Sequence, residues 1–173
     1  MRVGRSGIAG AALLLTGNCG CSSGAPKPDP SPAMRESLVA LESWTNVPRD
    51  VDPFIASGRD VPSCAEPTFR IEEDQAWLEI DTTLCAWVTV EQTTRAEVAK
   101  GELLELQFSH YDLDAAEPAS AELQLRFDDC DAWSKSIPIP NAAQVYTEQF
   151  RSACRMTNTS DVLFHLDSHG QNT

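Results

Sequence analysis

Residues 121–127 read Ala-Glu-Leu-Gln-Leu-Arg-Phe, with Ala121, Leu123, Leu125 and Phe127 alternating against Glu122, Gln124 and Arg126. A period of two sends one set of side chains into a core and the other into water, the pattern of a half-buried β-strand. The pattern recurs upstream. Residues 104–110 set Leu104, Leu106, Phe108 and His110 against Glu105, Gln107 and Ser109. Residues 84–90 group Leu84, Ala86, Val88 and Val90, with Cys85, Trp87 and Thr89 opposite, and residues 77–80 place Leu78 and Ile80 on one face. Weaker strands are expected over 68–71, 133–139, 145–150 and 162–166. Parallel strands, covered on both faces, read instead as continuous apolar runs. Short one-sided strands with almost no helix between them predict an all-β, two-sheet antiparallel β-sandwich of jelly-roll or immunoglobulin-like type. One short N-terminal helix is expected over residues 34–44: Ser31 can cap it, Pro32 suits its first turn, and Met34, Leu38, Leu41 and Trp44 form one stripe. Residues 93–100 read as a helical turn stopped by Gly101.

The chain has 173 residues, 42% hydrophobic and 23% charged, which suits a single domain. Thirteen basic residues against 26 acidic ones give a net charge of −13, the wrong sign for a nucleic-acid footprint. Arg2 and Arg5 precede a short apolar run over residues 8–16, and Gly17-Asn18-Cys19-Gly20-Cys21 follows. A basic start, a run well short of the roughly 20 residues a spanning helix needs, and a small-residue exit predict a secretory leader over residues 1–20. A cysteine directly after it resembles the lipidation box of bacterial lipoproteins. Cys21, preceded by Gly20, is the expected anchor; Cys19, preceded by Asn18, is the poorer choice. Ser22 after Cys21 fits sorting to the outer membrane, so the expected location is an exported lipoprotein held at the membrane by its lipid. The proline-rich stretch 21–33 is a tether, 34–63 the helix and an entry loop anchored by Phe54 and Ile55, and 64–173 the β-domain.

Cutting before Cys21 leaves Cys64, Cys85, Cys130 and Cys154, an even set suited to an oxidising compartment. Of the three connectivities, Cys64–Cys85 with Cys130–Cys154 closes two short loops. The chain resembles a family of bacterial exported lipoproteins with a β-sandwich-like domain and no established activity. The resemblance covers roughly residues 44–173. It rests on Trp44, Asp52-Pro53-Phe54, Ser63-Cys64, Asp81-Thr82-Thr83-Leu84-Cys85 and Gly101, then on Phe108-Ser109-His110, Glu117-Pro118-Ala119, Trp133 and Ile137-Pro138-Ile139-Pro140. Its last motif is Phe164-His165-Leu166-Asp167-Ser168-His169-Gly170-Gln171-Asn172, where the family pattern reads His-Leu-His-Asn-His-Gly. The family pattern continues into a closing apolar strand, so the resemblance implies a sheet lacking its last strand, with an open edge available for self-association.

No catalytic motif is present: there is no HExxH, no G-x-S-x-G elbow, and Ser168-His169-Gly170 has no matching nucleophile segment. The leading reading is a non-catalytic binding or surface-structural domain with no cofactor. A second reading is a metal-binding module, in which His110, His165 and His169 with Asp167 take zinc or copper and perform hydrolysis. Calcium would use the acidic clusters Glu72-Glu73-Asp74 or Asp128-Asp129-Cys130-Asp131, neither with EF-hand spacing. A third is a carbohydrate-binding sandwich that stacks a polysaccharide on exposed Trp77, Trp87 and Tyr111. A surface protein is the other expected class of partner.

Overall fold

The computed structural model describes residues 8–11, 37–55, 69–72, 77–82 and 85–168. The expected lipidation site, the tether, Cys64 and His169 lie outside these residues.

The described chain is mostly β-structure, and every strand pairing in it is antiparallel. In chain order the strands are β1 (Ile8–Ala11), β2 (Thr45–Asn46), β3 (Phe69–Glu72), β4 (Trp77–Ile80) and β5 (Trp87–Thr93), followed by β6 (Leu103–His110), β7 (Ala119–Phe127), β8 (Cys130–Ile139), β9 (Gln144–Arg151) and β10 (Asp161–Asp167). They form a five-stranded sheet in the order β2-β5-β10-β7-β8, a β6-β9 pair, and a three-stranded sheet β1-β4-β3. The expected strand over 84–90 begins later, at Trp87, and runs on to Thr93.

In the five-stranded sheet the rows Val88–Leu166–Leu123 and Val90–Phe164–Leu125 lie across β5, β10 and β7. These six side chains are all at most 2% exposed. The same core takes Leu104, Leu106 and Phe108 from β6 and Leu78 and Ile80 from β4, so the apolar faces of all three sheets share one interior. Phe108 packs edge-on against Trp133 of β8 at 5.7 Å between ring centroids. The Cys130–Cys154 disulfide ties the start of β8 to the segment after β9. Cys85 is disulfide-bonded too; its expected partner Cys64 is outside the described residues. Pro138 sits on β8, at the edge of its sheet, the place in a sheet where proline is tolerated. Gly101, at φ +86°, makes the turn into β6, and its N–H donates to the Ser152 carbonyl at 2.8 Å.

Two helical expectations are corrected. Within 34–44, the described part holds only a 3-10 turn over Leu41–Ser43. Leu38, Val39, Ala40 and Trp44 are buried while Glu42 and Ser43 are exposed. Three consecutive buried residues cannot lie on one helical stripe. The segment is instead held extended by the β5 end: Arg95 N–H donates to the Leu38 carbonyl, and Ala40 N–H donates to Gln92 Oε1 at 2.7 Å. Residues 93–100 likewise form no helical turn. Thr93 still belongs to β5, and Val98 makes a bridge to Met156. In both places partners distant in sequence took the backbone groups, which outweighed a weak local propensity.

Candidate functional site

The outer face of the five-stranded sheet, opposite the core, carries the polar residues of the alternation in three rows. These are Trp87–Asp167–Glu122, Thr89–His165–Gln124 and Glu91–Leu163–Arg126, across β5, β10 and β7. Residues 47–55 cross over this face, starting from the β2 edge, where Val47 N–H donates to the Thr89 carbonyl at 2.9 Å.

At the middle row the loop is clamped down. Asp52, Thr89 and His165 are 7%, 0% and 2% exposed. Thr89 Oγ1 donates to Asp52 Oδ2 at 2.5 Å and lies 2.6 Å from His165 Nδ1. The other carboxylate oxygen, Oδ1, accepts the Phe54 N–H at 2.9 Å, an Asx turn that brings the phenyl ring back over the sheet. Phe54 then stacks on the His165 imidazole, centroids 4.7 Å apart and planes within 15°. A carboxylate only accepts, so the Thr89 proton points to Asp52, its oxygen accepts from the imidazole, and the proton of His165 is on Nδ1. The chain carboxylate–hydroxyl–imidazole therefore has one direction, fixed by its acidic end.

Trp87, next to this row, is 1% exposed and 6.3 Å from the His165 ring between centroids. Its indole Nε1 is buried without a hydrogen-bond partner among the described residues. Ser168, fully buried beyond β10, donates from both backbone N–H and Oγ to the Ala86 carbonyl, at 2.7 and 3.0 Å. These bonds carry the β10–β5 contact one residue past Asp167.

On the other side of the loop the face is open. A cleft of about 490 Å³ is lined by Val47, Val51 and Pro53 from the loop, by Glu91, Leu163 and Arg126 from the third row, and by Asp128, Asp129 and Asp161. That volume is in the range of small-molecule sites. Asp128 is at φ 49°, a left-handed conformation that Asp tolerates, in the turn between β7 and β8. Its Oδ1 accepts the Asp161 N–H at 2.8 Å, so the turn is held against the start of β10. Arg126 Nε is 3.6 Å from Asp131.

The expected metal set is not assembled. His110 ends β6 on the face of Leu104, Leu106 and Phe108, toward the shared core, with Nδ1 donating to the Tyr111 carbonyl at 2.7 Å and Nε2 3.4 Å from the Tyr146 hydroxyl. His165 and Asp167 project from the opposite, outer face of β10, so the five-stranded sheet separates them from His110. His169 is outside the described residues. Among the described residues no group of three His, Cys, Asp or Glu side chains could hold a metal ion, and this includes the acidic turn 128–131. The expected sugar platform is corrected as well: Trp87 is interior, 1% exposed, rather than exposed, with the His165 ring 6.3 Å from its own. Trp77 on β4 is half-buried, and Tyr111, 56% exposed, follows β6, so the three rings belong to different sheets.

Thr89 and most of the cleft residues were not singled out by sequence motifs; Asp52 and Pro53 entered only within the Asp52-Pro53-Phe54 motif, and Asp128 and Asp129 only as part of an acidic cluster. The available signal was parity: Thr89 shares the Cys85–Trp87 face of its strand, the face His165 also occupies on β10. Comparisons with protein-family models, with curated proteins and with solved structures gave no match. No helix among the described residues is long and apolar enough to cross a membrane.

Proposed function

We propose that the protein is an exported, lipid-tethered β-sandwich that binds a ligand without transforming it, with the cleft beside residues 47–55 as the ligand seat. The observation that carries this reading is the use of His165. Its Nδ1 is committed to Thr89, its ring is stacked under Phe54, and the whole group is sealed at 2% exposure. An imidazole so placed fixes a loop; the loop in turn forms one wall of the open cleft. Shared burial of Leu104, Leu106 and Phe108 with Val88, Leu123 and Phe164 supports two facing layers. Export and lipidation at Cys21 are supported by the basic start, the short apolar run and the even cysteine set, with Cys130 bonded to Cys154 and Cys85 also in a disulfide.

The lining favours a positively charged group beside an apolar segment: four carboxylates (Glu91, Asp128, Asp129, Asp161) face one guanidinium, with Val47, Val51, Pro53 and Leu163 between them. The test is calorimetric titration with matched pentapeptides carrying lysine or glutamate beside leucine. Lysine peptides should bind, more weakly as salt rises, and binding should be lost in the Glu91→Gln/Asp129→Asn variant at unchanged melting temperature. Equal binding of both peptide sets, or full binding by that variant, would remove the cleft as the seat.

A further inference from the structure

The third row of the outer face places Glu91 of β5 and Arg126 of β7 on either side of Leu163 of β10. Neighbouring strands lie about 4.8 Å apart, so the two charged positions start about 10 Å from each other with an apolar residue between them. All three side chains line the cleft. Opposite charges in one small site ordinarily close on each other, yet among the described residues Arg126 makes no ion pair with Glu91, Asp128, Asp129 or Asp161. Its carboxylate neighbour is Asp131, 3.6 Å from Nε, whose side chain is 86% exposed and does not line the cleft. The guanidinium is anchored at one point, where Nη2 donates to the Asp129 carbonyl at 3.3 Å. Nε–H is buried without a hydrogen-bond partner, and Nη1 makes no hydrogen bond among the described residues. The carboxylates of Glu91, Asp129 and Asp161 accept none there either. The cleft therefore holds acids and a cation apart, each with hydrogen-bonding capacity to spare.

A guanidinium with unpaired donors is a receptor for a carboxylate, which it can bind through two parallel hydrogen bonds. We propose that the occupant of the cleft is the carboxy-terminal end of a peptide chain whose last residue is lysine, with the α-carboxylate on Arg126 and the ammonium on Glu91 and the neighbouring acids; this rests on the cleft being the ligand seat. A lysine inside a chain would compensate the acids and leave Arg126 unpaired, whereas a terminal lysine carries both charges and matches both sides of the cleft. Its four-carbon stem keeps the ammonium away from the carboxylate and lays its methylenes over Leu163. Val47, Val51 and Pro53 then form an apolar wall for the residue before it, a contact that a free amino acid would not make. Two opposite charges at fixed places also set the direction in which the chain enters.

The test is calorimetric titration of the full chain with the pentapeptide Ala-Ala-Ala-Leu-Lys, once as the free acid and once as the carboxy-terminal amide. The acid should bind at least about tenfold more tightly, the effect of one charge-assisted pair. Arg126→Gln should abolish that preference. The comparison of acid with amide needs no variant, so it decides the matter even where the substitution lowers the melting temperature. Equal binding of acid and amide overturns the carboxylate contact and leaves the cleft standing as a seat for lysine. A preference that persists in Arg126→Gln overturns Arg126 as the receptor. Free lysine binding as tightly as the acid peptide overturns the chain end as the source of the ligand. Absence of binding by both peptides at low salt removes the cleft as the seat and this proposal with it.

Discussion

Thr89→Val is the most direct test of the clamp. Valine matches threonine in shape, so packing in β5 is kept and only the hydroxyl is lost. That hydroxyl is the single atom between Asp52 Oδ2 and His165 Nδ1, at 2.5 and 2.6 Å, in a site where the three residues are 0–7% exposed. Its removal leaves one carboxylate oxygen and one imidazole N–H facing a methyl group. Each buried group left unsatisfied costs about 1–3 kcal/mol, and the valine gains a little from not burying a hydroxyl, for a net loss of about 3 kcal/mol. For a domain of this size that corresponds to a fall in Tm of roughly 6–12 °C. The loop should also loosen before the sheet melts, seen as faster amide exchange at Phe54, whose N–H is held by Asp52 Oδ1. Thermal unfolding followed by circular dichroism, with exchange measured below the transition, reads both effects. A Tm within about 2 °C of the parent, a shift that corresponds to under ~1 kcal/mol, together with unchanged exchange at Phe54, would refute the clamp.

Replacing both Cys130 and Cys154 by serine should cost about 3 kcal/mol, because the bridge closes a loop of 24 positions and joins two parts of the core through otherwise separate strands; denaturant unfolding with and without reductant measures it, and reductant should leave the double variant unaffected at this bridge. Cys21→Ser should move the protein from the detergent phase to the aqueous phase on phase partitioning, since the full chain carries a net charge of −13 and the body, having lost Arg2 and Arg5 with the leader, is more negative still and has no attraction to anionic headgroups; a variant that stays in the detergent phase would show that the lipid is not its anchor.

Backbone periodicity carried well from sequence to structure. The alternation in 121–127 appears as β7 with Ala121, Leu123, Leu125 and Phe127 at 0–1% exposure, and His110 was legible as the end of an apolar face. This works because a strand's side-chain period is a local property of the backbone: adjacent residues must point to opposite faces whatever the rest of the chain does. The pattern could not say what covers the polar face. Trp87 and Thr89 fall on the polar parity and read as solvent-exposed, but both are buried, and residues 47–55 reach over Thr89. That placement follows from Asp52 reaching Thr89 at a sequence separation of 37.

The same limit governs the histidines. Sequence placed His165 and His110 each on a strand, but whether two strands share a face is decided by sheet pairing, and the pairing set them on opposite sides of five hydrogen-bonded strands. It governs the short helix as well, since residues 34–44 have an apolar spacing that a helix could use, while the backbone of Leu38 and Ala40 is held by Arg95 and Gln92. What the sequence determined by itself was the class of secondary structure and the sign of the charge, both of which are sums or periods over neighbouring residues. What only the tertiary structure decided was the clamp and the cleft, because each is made by segments more than thirty residues apart whose meeting depends on strand order.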